Sequence, residues 1–79
     1  MKVTITLRGV LKKKFPEFGD KVVELPEGTT CDEALASVGI HYKEIPNFGF
    51  VSVNSKRVMI YDELKDGDLL KAYSRVAGG

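Results

Sequence analysis

Residues 30–39, TCDEALASVG, carry a complete set of helix signals. Thr30 followed three residues later by Glu33 is a capping-box pair, in which each side chain satisfies a free N–H of the first turn. Asp32 and Glu33 suit the positive end of the helix dipole. Gly39 supplies a C-terminal stop. Ala34, Leu35 and Val38 give the helix one apolar stripe. No other stretch of the 79 residues has this combination. The fold must therefore be built from strands and connections around one main helix.

Upstream, KVTITL (2–7) alternates strictly, with Val3, Ile5 and Leu7 on one face and Lys2, Thr4 and Thr6 on the other. Period two with β-branched residues predicts a half-buried strand. RGVLKKKFPEFGD (8–20) reads as a short helical turn or an ordered loop, because Pro16 ends any helix near Phe15. KVVEL (21–25) is a second strand, and its closeness to the first predicts a hairpin. Downstream, HYKEIPNFG (41–49) is a connection, and FVSVN (50–54) is an alternating strand with Val51 and Val53 inward. NSKR (54–57) turns into a very short strand around Val58. LKDGD (64–68) is a tight turn with Gly67 where the chain reverses. LLKAY (69–73) is the last strand, with Leu70 and Ala72 inward.

Strand, strand, helix, strand, short strand, strand is the order of an α+β roll of the ubiquitin-like β-grasp type. The expected form is a mixed sheet of four to five strands with one main helix packed on one face. Residues 1–74 form this domain. Residues 75–79 are expected to be a flexible C-terminal tail ending in Gly78-Gly79. With the last strand central and parallel to the first, Ser74 to Gly79 reach roughly 20 Å at about 3.3–3.6 Å per residue.

Composition narrows the function classes. The chain is 43% hydrophobic and 29% charged, with 12 basic residues against 11 acidic ones. That balance asks for neither nucleic acid nor an anionic membrane. One cysteine makes no internal disulfide and no multi-thiolate metal site. The reading is a soluble, cytoplasmic domain without a bound cofactor.

ELPEGTTCDEAL (24–35), VSVN (51–54), LKDGD (64–68) and VAGG (76–79), in this order, resemble the MoaD/ThiS family of sulfur carriers. The resemblance covers roughly residues 2 to 79 and leans toward the small subunit of molybdopterin synthase. Parts of it also occur in TGS domains; the terminal diglycine separates the two. The sequence makes two departures from the family's usual pattern: Ser74-Arg75 replaces a pair of prolines, and Ser55 replaces a glycine.

The resemblance implies a chemistry for Gly79. A ubiquitin-activating-like enzyme, using ATP, converts the terminal carboxylate to an acyl-adenylate, and a sulfur donor then displaces AMP to leave a thiocarboxylate. A synthase large subunit or a thiolase accepts the sulfur, in molybdopterin or tungstopterin synthesis, thiamin synthesis or tRNA thiolation. Gly78 and Ala77 offer no bulk to a narrow channel. Val76 anchors the tail, and Arg75 steers it. The alternatives are a ubiquitin-like protein modifier joined through Gly79 to lysines, and a β-grasp binding module.

Phe50, Leu69 and Tyr73 are expected on the sheet face away from the helix. There they form a partner-binding patch unless the 40s loop or Phe15 and Phe18 cover them. Other side chains have plainer readings. Cys31 is a packing cysteine rather than a reactive thiol, and His41 is a loop histidine. Lys12, Lys13 and Lys14 are a solvated loop, and Asp62, Glu63, Asp66 and Asp68 serve turns. No nucleophile–base pair, phosphate loop or metal spacing is present, so the chain is read as a carrier and not as an enzyme.

Overall fold

The computed structural model describes residues 1–75. β1 (Lys2–Arg8) buries Val3, Ile5 and Leu7, each 3% exposed or less, as its alternation requires. β2 (Lys21–Glu24) returns antiparallel to it, Val3 facing Val23. Between them the chain makes one helical turn, α1 (Val10–Lys14), and Phe15 N–H closes it on the Leu11 carbonyl at 3.0 Å. Leu11 is the side chain α1 buries, which leaves its three lysines on the surface.

α2 (Cys31–Ser37) begins and ends as its sequence dictates. The Glu33 carboxylate accepts the Thr30 N–H at 3.0 Å. The Thr30 hydroxyl donates to the carboxylates of both Asp32 and Glu33. At the other end Gly39 is left-handed, with φ 86°. Ile40 N–H reaches back to the Leu35 carbonyl at 2.9 Å, and Gly39 N–H to that of Ala36 at 3.0 Å. This Schellman closure also brings the apolar Ile40 against the helix end.

A 3-10 turn (Tyr42–Glu44) leads to β3 (Phe48–Val53), β4 (Lys56–Val58) and β5 (Leu69–Ser74). The sheet order is β2-β1-β5-β3-β4. β5 is therefore central, parallel to β1 through Thr4↔Leu69 to Arg8↔Tyr73 and antiparallel to β3. Five strands and one main helix make the β-grasp roll that the element order predicts.

The core forms where α2 meets the inner face of the sheet. Leu35, Ala34 and Cys31 join Ile5, Val51, Leu70 and Ala72 in one buried cluster. The connections add Ile40, Ile45 and Leu64, all below 8% exposed. Val38, expected in the helix stripe, is only half-buried.

Turn chemistry fixes the sheet's far end. Gly67 takes φ 86° and donates its N–H to the Lys2 carbonyl at 2.7 Å. Asp66 accepts the Lys2 N–H at 2.7 Å. Asn54 bridges two elements: its amide accepts the Leu69 N–H at 3.0 Å and donates to Asp68 at 2.9 Å. The β3–β4 turn places both Asn54 (φ 52°) and Ser55 (φ 71°) in the left-handed region. Both central residues take the φ > 0 of a type I′ hairpin. Ser55 therefore stands where glycine costs least.

Candidate functional site

Two features lie where the sequence points: the place where the chain leaves β5, and the outer face of the sheet. The exit is the more constrained. Ser74 Oγ accepts the Val10 N–H at 2.9 Å, which ties β5 to the first turn of α1. Arg75 N–H donates to the Asn47 carbonyl at 2.6 Å. A proline at 75 has no N–H for that bond, so the departure from the paired prolines has a structural role here.

Two glycines flank this exit. A β-carbon on Gly9, which sits at φ 63°, would collide with the Ser74 hydroxyl. A β-carbon on Gly49 would lie 2.9 Å from the Ser74 carbonyl and from Arg75 N. The same close approach coincides with a register shift, since Phe48 pairs with Ser74 while Phe50 pairs with Tyr73. Gly49 is thus the extra residue of a bulge as well as the end of a connection. Arg75 is exposed just past this point. Val76, Ala77, Gly78 and Gly79 lie outside the described residues.

On the outer face the structure brings two of the three expected patch residues together. The rings of Phe50 and Tyr73 stack at 4.6 Å between centroids, 10° from parallel. Leu69 shares their face but is separated from Tyr73 along β5 by Lys71. All three are half-buried. Lys71 pairs with Thr6 on one side and Ser52 on the other, and both of those side chains are buried. Phe15 and Phe18, considered as covers for the patch, pack against the core cluster instead.

Sequence reasoning missed Arg57, read only as part of a turn. Its guanidinium lies 4.5 Å from the centre of the Phe50 ring, extending the Tyr73–Phe50 stack by a cation. Its register opposite Ser52 puts it on the outer face, a placement legible only once the hairpin register is known.

The remaining candidates have structural roles. Cys31 is fully buried, and burial, followed by the negative charges of Asp62, Asp32 and Asp68, pushes its thiol up to about 11. It is protonated at neutral pH and out of solvent's reach, so it is no nucleophile. Asp62 and Asp68 each accept a backbone N–H of their own turn, from Met59 at 3.0 Å and Lys65 at 2.7 Å. His41 is exposed. Among the described residues no group of three or more His, Cys, Asp or Glu is placed to hold a metal ion, and no helix is long and apolar enough to cross a membrane.

No family model and no curated protein matches the chain. Solved structures do. The small archaeal modifier protein 1 of Haloferax volcanii aligns over 100% of both chains with a TM-score of 0.76 and 23% identity. A putative molybdopterin converting factor, subunit 1, from Pyrococcus furiosus aligns over 96% of this chain and 99% of its own, with a TM-score of 0.72 and 23% identity. A chain of the complex of subunits 1 and 2 of the molybdopterin-converting factor from Helicobacter pylori aligns over 100% of both, with a TM-score of 0.66 and 17% identity. The chain has the ubiquitin-like β-grasp fold that these three structures share.

Proposed function

We propose that the chain is a sulfur carrier that reacts through the carboxyl group of Gly79. The observation behind this reading is the placement of β5. A central strand, paired on both flanks, runs out to Arg75, where Gly9 and Gly49 leave room for the close approach of Ser74. A rigid body with a small-residue arm suits delivery of one reactive group into a partner's channel.

In the proposed reaction, the Gly79 carboxylate attacks the α-phosphorus of ATP on an adenylating partner and displaces pyrophosphate. A hydrosulfide-equivalent nucleophile then adds to the acyl carbon and expels AMP, leaving the thiocarboxylate. Both steps use the partner's catalytic groups. The carrier supplies an unhindered acyl end and a docking face that includes Phe50, Tyr73 and Leu69. The acceptor we favour is the large subunit of a molybdopterin or tungstopterin synthase, supported by the likeness to the subunit 1 structures. Thiamin and tRNA thiolation are the other destinations.

A second reading, a protein modifier linked through Gly79 to lysines, is supported by the likeness to the archaeal modifier. Intact mass of the protein from its native cell separates the two. Replacement of one terminal oxygen by sulfur supports the carrier, and covalent lysine adducts support the modifier. Deleting Gly79, or making Gly79→Leu, is expected to leave the fold intact and abolish AMP-forming exchange with the activating enzyme. Normal exchange by either variant would sink both readings and leave a plain binding module.

A further inference from the structure

A groove of about 510 Å³ runs between the 3-10 turn with the start of β3 on one side and β4 with residues 59–60 on the other. Its apolar surface includes Phe48, Val58 and Met59, and Lys43, Arg57 and Arg75 supply its charge. No carboxylate lines it among the described residues; Glu44, the neighbour of Lys43, lines a separate depression with Asp32. The chain as a whole holds 12 basic residues against 11 acidic ones, so this groove is a local concentration of positive charge.

Met59 is 69% exposed, an apolar side chain whose burial against a partner is favourable. Arg57 is held over the Phe50 ring, and the Arg75 backbone is tied to Asn47. Holding the Arg57 cation beforehand lowers the ordering cost of binding an anion. Groups of one sign around an apolar floor select a ligand that has the opposite sign and an apolar centre.

We propose that this groove receives an extended acidic peptide segment of a partner protein. Its apolar side chains rest on Phe48, Val58 and Met59, and its carboxylates meet Lys43, Arg57 and Arg75. The inference is independent of the chemistry at Gly79.

The test uses the full chain and a fluorescein-labelled peptide, Asp-Glu-Asp-Leu-Ile-Asp-Glu-Asp, followed by anisotropy at low salt. Saturable binding is expected, weakening as salt screens the charges. Arg57→Glu and Met59→Asp are expected to weaken it by about fivefold or more each, with unchanged far-UV circular dichroism. Amide shift changes should fall on residues 42–50 and 57–60. The proposal is overturned by any of three results: binding that does not saturate, shifts that fall on β2, or equal affinity for a control probe. The controls are the same peptide with serine for its apolar pair and an oligothymidylate of matched charge.

Discussion

Gly49 lies so close to Ser74 that a β-carbon at position 49 would come within 2.9 Å of the Ser74 carbonyl carbon and oxygen. The obstacle is backbone held in the central strand, which cannot rotate away as a side chain can. Gly49→Ala is therefore expected to cost about 1–3 kcal/mol, the range of an overpacked site. Denaturant unfolding measures the loss, and amide shifts should move at Asn47, Ser74 and Arg75. An unchanged midpoint would mean that the bulge relaxes freely.

Ser55 sits at φ 71° in the β3–β4 turn. A left-handed non-glycine residue carries about 1–2 kcal/mol of strain, and glycine returns part of that as chain entropy. Ser55→Gly should stabilise the fold by roughly 0.5–1 kcal/mol, read as a raised thermal midpoint. Asn54→Ala should do the opposite by about 1–2 kcal/mol, because it also strips the side-chain bonds to Leu69 and Asp68.

The buried Cys31 thiol gives stability a pH dependence of known sign. Its value rises from 9.0 to about 11 on folding, so above pH 9 the unfolded chain releases a proton that the native one keeps. Its contribution is complete below pH 9 and is lost as pH climbs through 11. Compared with Cys31→Ala, the parent protein should lose up to roughly 3 kcal/mol across that window, at about 1.4 kcal/mol for each unit. Parallel stability curves for the two proteins would contradict this. A thiol-modifying reagent at pH 8 should react only as fast as the protein opens.

Tyr73→Ala removes one ring of the stack with Phe50. Both residues are half-buried and outside the core cluster, so the expected loss is about 1–2 kcal/mol. The Phe50→Ala, Tyr73→Ala double mutant should cost less than the sum of the singles. Under the proposed function, partner affinity should fall further than stability does. Equal falls would make the stack a structural device only.

Much of this fold is legible because strict periods and turn signals reinforce one another. Val3, Ile5 and Leu7 alternate, Thr30 and Glu33 frame the helix start, and Gly39 and Gly67 occupy left-handed positions. Ile40, Ile45 and Leu64 are less legible, since isolated apolar residues in irregular segments have no period to reveal their burial. Gly49 reads as punctuation in sequence, because close backbone approach depends on a strand 25 residues further on. Arg57 escapes notice for a similar reason: the ring beneath it belongs to another strand. The role of Ser74-Arg75 depends on Val10 and Asn47, partners that no local pattern connects.

The pairing of β5 on both sides has a mechanical consequence. Tension applied past Arg75, along the strand, loads the β1 and β3 ladders together in shear. An edge strand pulled the same way is held by one ladder, whereas β5 must break two at once. Under the proposed function, a partner hauling on this strand leaves the rest of the molecule folded as its handle.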